Sequence, residues 1–292
     1  MEKWLDEKSR ADTVRMKIQT IIPIFNPQVS FSERIVPLLQ EQTASSALLV
    51  INSGDKDLTI AKSATLKIQK SEFNHANTRN LALNYEADFY LFMTQDSMPY
   101  DEFLVENLLK AFEDDNVVVA YARQIPYQDA DAMEVFARMT NYPLSSKVKS
   151  KDDLPTMGIK TFFCSDSCAM YRASYFKEVS GFKKDLNTNE DMEFAARAIM
   201  DGKKVAYAAD AKVYHSHTFT CKDIWKRYSA IGKFFTENSW ILKEVEKYHK
   251  AESTGINQAL RELKYLLKES PWSIPRSCLH SLIKFIAFKS AF

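Results

Sequence analysis

DFYLFMTQDSMPYDEF, residues 88–103, runs an unbroken apolar stretch from Phe89 to Met93 into the polar tripeptide Thr94-Gln95-Asp96, just ahead of Pro99. A short, aromatic-rich apolar run bounded by turn-forming residues predicts a strand buried on both faces. Such a strand has no structural need to end on a carboxylate. Taken alone, Asp96 also fits a turn before the proline, so its meaning depends on what surrounds it.

Working outward, the same kind of run recurs. Strands are expected at 18–25 (IQTIIPIF), 47–52 (ALLVIN), 66–69 (LKIQ) and 117–122 (VVVAYA), with helices near 30–42, 75–86 and 101–113. This alternation predicts an α/β fold with a mostly parallel central sheet flanked by helices. In such sheets ligands sit beyond the carboxyl ends of the strands. Asn26, Asn52-Ser53-Gly54-Asp55 and Thr94-Gln95-Asp96 all follow strands, so they are expected to line one crevice. After about residue 125 the alternation loosens; 161–172 (TFFCSDSCAMYR) and 204–217 (KVAYAADAKVYHSH) are strand candidates around a helix at 189–201. From residue 222 the pattern is helical, which divides the chain into a catalytic unit over 1–221 and a C-terminal helical region over 222–292.

The chain has 292 residues and a net charge of +1, which argues against a partner bound mainly through phosphate neutralisation along a nucleic acid. The charge is uneven: thirteen Lys or Arg against seven Asp or Glu lie from Lys222 onward. Cys164 and Cys168 are the one close cysteine pair and no zinc-ligand grouping accompanies them, so reduced core cysteines are expected. The opening MEKWLDEKSRADTVRMK is charged throughout, with no apolar core of a secretory leader. No run approaches the ~18 to 20 apolar residues needed to span a bilayer.

Only six glycines occur, and neither GxGxxG nor GxxxxGKS is present, which disfavours dinucleotide-dependent dehydrogenases and P-loop kinases. A diphosphate bound here would need a divalent metal and side chains, with Asp96 as a hard oxygen ligand, Gln95 beside it and Arg79 for a phosphate. NTNEDMEFAARAIMDGKKVAY, residues 187–207, supplies a second acidic site, Glu190 and Asp191. Thr188 and Asp191 fit a capping box. The helical spacing of Phe194, Ala195 and Ala198 places Asp191 on the apolar face, leaving Glu190, Glu193 and Arg197 on the wetter side. A carboxylate on a buried helix start must be partnered or functional, and the helix dipole favours its ionised form. VYHSH, residues 213–217, puts His215 and His217 on one strand face, and an imidazole with Asp96 makes a sensible Mn2+ or Mg2+ site.

With these segments in hand, the chain resembles the family 2 glycosyltransferases of the GT-A fold, especially their bacterial rhamnosyltransferase-like branch, over roughly residues 17–240. IIPIFNP, VINSGD, FNHANTRNLAL, FMTQDSMP, NEDMEFAARAIMDGKKVAY, VYHSH and WKRYSAIGKFF follow the family's order. The resemblance implies a nucleotide-sugar site at Pro23, Phe25, Asn26 and Asp55, extended by Arg79, Thr94, Gln95, Asp96 and Glu190. It implies that Asp96 and His215 bind a metal, with His217 the less certain ligand, and that Asp191 is the catalytic base. The first acid of the family's Asp-x-Asp motif is replaced by Thr94, so Asp96 carries the metal alone on that segment. The implied reaction is an inverting, in-line transfer of a sugar, L-rhamnose from dTDP-L-rhamnose above all, to a hydroxyl of a growing, lipid-linked cell-surface polysaccharide. UDP-sugar donors, a sugar nucleotidyltransferase and a non-catalytic carbohydrate-binding protein are the alternatives.

PWSIPRSCLHSLIKFIAFKSAF, residues 271–292, has three basic residues, no acidic ones, and apolar positions at helical spacing. It fits a helix docked on the protein's own core, a homodimer contact, or an interfacial helix on an anionic membrane. The last would place the protein in the cytoplasm at the inner face of the plasma membrane.

Overall fold

The computed structural model describes residues 16–58, 60–248 and 251–292, with backbone alone for residues 251–254 and 256. The reading of the charged opening segment therefore falls almost wholly outside the described residues. The chain begins with β1 (Ile18–Ile24), a π-helical turn (Phe31–Ile35) continuing into α1 (Val36–Gln40), β2 (Ala47–Asn52) and β3 (Ser63–Lys67). Then come α2 (His75–Arg79), β4 (Phe89–Met93), the two-residue β5 (Met98–Pro99), α3 (Leu104–Leu109) and β6 (Val117–Ile125). α4 (Ala132–Asn141), β7 (Lys147–Lys149), α5 (Leu154–Met157), β8 (Cys168–Arg172), α6 (Ala173–Glu178), α7 (Glu190–Met200) and β9 (Lys204–Tyr214) complete the sheet region. Four helices follow: α8 (Cys221–Glu237), α9 (Ser239–Glu246), α10 (Ala251–Glu269) and α11 (Ile274–Lys289).

The strands form one sheet in the order β3-β2-β1-β4-β8-β6-β9-β5, with β7 also on β9. β3, β2, β1 and β4 are parallel neighbours, and β6 runs parallel to β9. β8 is antiparallel to both β4 and β6. Two reversals restore the original direction, so β1, β2, β3, β4, β6 and β9 all end at the same edge, and β8 starts there. This edge collects the residues that follow those six strands and precede β8. Between β6 and β9 the register slips, from Ala122 opposite Ala208 to Arg123 opposite Lys212, which carries Tyr214 to the end of β6 at Ile125.

Alternation along β4 explains the core. Tyr90 and Phe92 face one layer, while Phe89, Leu91 and Met93 face the other. Phe92 lies edge-on to Tyr171 of β8 at 5.3 Å, Tyr171 meets Phe194 of α7 at 5.1 Å, and Phe194 stacks on Phe176 of α6 at 5.4 Å. Truncating one such buried aromatic costs about 3–5 kcal/mol. The same cluster fixes α7, and with it the acidic residues at its start, against the sheet.

Three local expectations change. β3 begins at Ser63 rather than Leu66. The segment expected as one strand at 161–172 is a 3-10 turn to Phe162, then an irregular stretch, with β8 starting only at Cys168. Cys164 and Cys168 are buried free thiols, but Cys221 and Cys278 are exposed, because both sit on outward faces of the terminal helices. Among the described residues no helix is long and apolar enough to cross a membrane.

Candidate active site

The crevice starts at the ends of β1, β2 and β4. Asn26 takes a left-handed backbone (φ 42°), and its side chain is matched to Asp55: Asn26 Nδ2 donates to Asp55 Oδ2 at 3.1 Å, and the Asp55 amide donates to Asn26 Oδ1 at 3.0 Å. Gly54 lies so close that a Cβ would stand 2.6 Å from the Asn26 amide nitrogen. Gln95 ties the ends of β4 and β1 together, accepting from the Phe25 amide at 2.7 Å and donating to the Phe25 carbonyl at 3.3 Å. Pro23 stands inside β1 opposite Ile51, and the Phe25 ring is exposed under the Lys70 ammonium at 4.6 Å. Thr94 exchanges a hydroxyl hydrogen bond with Ser97 at 2.9 Å, closing the turn that presents Asp96.

Asp96, His215 and His217 converge, their candidate ligand atoms all within 4.8 Å of one another. His215 Nε2 lies 3.5 Å from Asp96 Oδ1, His217 Nε2 lies 3.5 Å from Asp96 Oδ2, and the two Nε2 atoms are 3.0 Å apart. The Gln124 amide nitrogen donates to Ser165 Oγ at 2.8 Å, which turns Gln124 Oε1 toward His215 Nδ1 at 2.9 Å. His215 must then carry its proton on Nδ1, leaving the Nε2 lone pair for the cluster. Burial, then neighbouring His215, pushes His217 down to about 4, so His217 is neutral at pH 7. One carboxylate and two imidazole lone pairs aimed at a common point are a donor set for a divalent cation of the Mn2+ or Mg2+ type. His217 is therefore as well placed as His215. Glu134 and Arg138 of α4, paired at 2.6 Å, hold this segment: Glu134 accepts from the His217 amide and Arg138 donates to the His215 carbonyl.

The second centre is a buried charge cluster at the start of α7. Arg79 is 3% exposed and lies 3.1 Å from Glu190 Oε1 and 3.4 Å from Asp166 Oδ2. It is committed to carboxylates, which corrects the expectation that it is free to bind a phosphate. Glu190 and Glu193 are 5% and 2% exposed, not on the wetter side. The helical wheel fails there because Arg79 from α2 covers Glu190, and Arg197 chelates Glu193 at 2.9 and 3.0 Å. The capping box is absent as well: the residue preceding α7, Asn189, is left-handed (φ 58°) and makes no cap hydrogen bond. Asp191 instead accepts backbone N–H bonds from Asp166 at 3.1 Å and Met192 at 2.7 Å.

Burial, followed by the Glu190 charge, pushes Asp191 up to about 6 in spite of those amides and Arg79. The dipole was expected to favour the ionised form, but desolvation and like charge outweigh it. Burial likewise pushes the Asp166 carboxyl well above its usual range, and Tyr171 Oη donates to it at 2.6 Å. Three carboxylates around one guanidinium cannot all ionise cheaply in a dry site, so the cluster retains a proton to higher pH. A carboxylate titrating near 6 is a better proton acceptor than an ordinary one, yet still ionised at neutral pH.

Asp191, Glu190, Arg79, Thr94, His215 and His217 line one cavity of about 410 Å³, roofed by α4, α8, α10 and α11. Pro23, Phe25, Asn26, Asp55, Gln95 and Asp96 lie outside that lining, along the open edge. The histidines touch Asp96 on one side and face the Asp191 cavity on the other, so they join the two halves. Asp166 and Gln124 were not anticipated. Both follow the strand-end rule: Gln124 lies at the end of β6, and Asp166 lies in the polar SDS immediately before β8.

A family model described as glycosyl transferase family group 2 matches residues 92–287. The O-antigen chain rhamnosyltransferase RfbN of Salmonella typhimurium is 38% identical over 282 residues, spanning 94% of this chain and 89% of its own. WbaN of Salmonella anatum, also an O-antigen chain rhamnosyltransferase, is 38% identical over 277 residues, spanning 92% and 87%. Among solved structures, the mannosyltransferase PcManGT from Pyrobaculum calidifontis, in complex with GDP-Man and Mn2+, superposes with a TM-score of 0.62 at 12% identity, over 95% of this chain and 88% of that one. S. aureus TarS 1-349 gives 0.52 at 14% identity, over 94% and 90%. These likenesses establish the GT-A architecture.

Proposed function

Because the chain belongs to the family 2 glycosyltransferases, we propose that it moves L-rhamnose from dTDP-L-rhamnose onto a hydroxyl of a lipid-linked O-antigen-type glycan, with inversion. The observation that carries this reading is the line of contact from Asp96 through His215 and His217 to the cavity holding Asp191. The identity of the curated relatives as O-antigen chain rhamnosyltransferases supports the choice of sugar and acceptor.

In this reading the catalytic unit over residues 1–221 holds the donor, and the helices from 222 onward close the acceptor side. Asn26 and Asp55, locked to each other, bind the nucleoside, and the exposed Phe25 ring offers a face to the base. Asp96, His215 and His217 would hold Mn2+ or Mg2+, which supplies charge to stabilise the departing diphosphate when bound. Asp191 accepts the proton of the attacking acceptor hydroxyl, and the Asp166 and Met192 amides keep its carboxylate in position.

α11 turns Leu279, Leu282, Phe285 and Ile286 outward on one face. With three basic and no acidic residues over 271–292, that face suits an anionic lipid surface. Liposome flotation of the full chain and of a form ending at residue 270 tests this; equal flotation removes it.

The direct test is a screen of nucleotide sugars for Mn2+-dependent binding, followed by mass spectrometry of acceptor products. The expected result is an acceptor one deoxyhexose heavier, in α linkage. Turnover of a UDP-sugar in its place would move the donor assignment, and turnover of none would defeat the reading.

A further inference from the structure

The cavity lining has two chemically different parts. Asp191 and the histidines make one, and α8 and α11 add Arg227, Arg276 and Lys284. Other cations in the lining are matched to acids: Arg79 with Glu190, Arg138 with Glu134, and Arg276 with Asp131 at 3.2 Å. Arg227 and Lys284 differ. Among the described residues neither has a carboxylate within ion-pair distance; the Arg227 guanidinium lies 5.7 Å from the Phe219 ring, and the Lys284 ammonium 5.8 Å from the Tyr228 ring.

Phe219 links these cations to the metal site. Its ring stands 5.4 Å from that of His217, and its carbonyl accepts from Arg276 Nη2 at 3.4 Å. The buried His280 lies between Arg276 and Lys284 along α11, and burial, then the charges of those two, push its pKa down against the opposing effect of Asp131 and Glu262. The wall is built at a fixed spacing, because Gly232 lets α8 approach α11 so closely that a Cβ there would stand 2.5 Å from the Phe288 carbonyl oxygen.

Cations that face a cavity without a matching acid leave a place for an anion, and guanidinium and ammonium groups suit phosphate oxygens. We propose that Arg227 and Lys284, flanked by the Asp131-paired Arg276, form a second diphosphate-binding wall, distinct from the cluster of Asp96, His215 and His217, in which the C-terminal helix α11 takes part in substrate binding. Its ligand is a diphosphate ester, from one of two sources: the group tethering the acceptor to lipid, or the nucleoside diphosphate of the donor. The assignment of those sources rests on the proposed function, while the wall itself does not. α11 also carries the outward apolar face, which favours the lipid-borne source.

Calorimetric titration of the full chain with farnesyl diphosphate, farnesol and dTDP, in EDTA and in Mn2+, separates the cases. Farnesyl diphosphate is expected to bind in EDTA and farnesol not to. Lys284→Met and Arg227→Gln each should weaken that binding by about tenfold or more, and Lys284→Arg should restore it. Weakening of dTDP alone would support the wall and assign it to the donor. If both folded variants bind both diphosphates as the wild type does, the proposal is overturned. Should Lys284→Met fail to fold, Arg227→Gln on the exposed face of α8 gives the same readout. Diphosphate binding without any sugar transfer would sink the enzymatic reading and leave the wall standing; transfer with no effect of the variants would do the reverse.

Discussion

The backbone amide of Asp166 donates to Asp191 Oδ2 at 3.1 Å, aiming the α7 carboxylate from a residue that precedes β8. The link couples the proposed base to the sheet edge that carries the candidate metal site. Removing the carboxylate's basicity while keeping its shape isolates that role. Asp191→Asn is expected to lower the transfer rate by at least about a hundredfold, while donor affinity measured by calorimetry stays within about twofold. Near-normal turnover would show that another group takes the proton.

Asp191 must be ionised to accept a proton, and it is pushed up to about 6 by burial and then by Glu190. The rate should therefore fall as pH drops through about 6, with a slope of one proton. Glu190→Gln removes the neighbouring charge and frees Arg79 from one partner, and both changes lower the Asp191 pKa. The acidic limb should move to lower pH, at some cost in stability from the broken buried pair. A limb that stays put or moves upward contradicts the assignment.

The candidate metal site yields a test of its supporting contact. Gln124 Oε1 lies 2.9 Å from His215 Nδ1 and sets its tautomer. Loss of such a partner commonly costs about 10–100-fold in metal affinity. Gln124→Ala should weaken Mn2+-dependent donor binding to that extent, and Asp96→Ala, His215→Ala and His217→Ala should abolish it. Titration with and without Mn2+ reads all four, and an unaffected His217→Ala would demote that residue.

What the sequence shows and hides follows from the range of the interactions involved. Phe89 to Met93 reads as a buried strand because periodicity is local, and the crevice at Asn26, Asp55 and Asp96 follows because parallel strands share one end. Gln124 escapes because the apolar run stops at Ala122, whereas the register slip against β9 extends β6 to Ile125. Asp166 escapes because flanking Phe163 and Cys168 make the stretch look like one strand. The burial of Glu190 has no local signal at all: its partner, Arg79, comes from a different helix, and a helical wheel counts only its own residues.

Gly232 is a test of how α11 is held. Alanine is preferred over glycine inside a helix by about 1 kcal/mol, so an exposed site would gain stability. Here the new Cβ would stand 2.5 Å from the Phe288 oxygen and 2.8 Å from Ala291 Cβ. Overpacking of that kind costs about 1–3 kcal/mol and falls on backbone that cannot swing aside. Gly232→Ala should lower the urea midpoint, and a gain in stability would mean that α11 is not docked as described.

Lys149 on β7 is 2% exposed, donates to the Phe163 carbonyl, and lies 4.9 Å from the Tyr121 ring, with no carboxylate paired to it among the described residues. Burial pushes it down to about 8 from an ordinary 10.5. The unfolded chain therefore binds this proton more tightly than the folded one. The resulting penalty is present below pH 8, and stability rises with pH as it is relieved between about 8 and 10.5, by about 3 kcal/mol over the whole window. Lys149→Met keeps the apolar stem and removes the charge, though it leaves the Phe163 carbonyl without its donor, a loss of about 1–3 kcal/mol. The two effects nearly cancel at pH 7, so the variant should be close to wild type there and progressively less stable relative to it toward pH 10. Urea unfolding of both proteins at pH 7, 8, 9 and 10 measures the difference, in which other alkaline titrations drop out. A difference that stays constant with pH would show that Lys149 keeps an ordinary pKa in the folded protein.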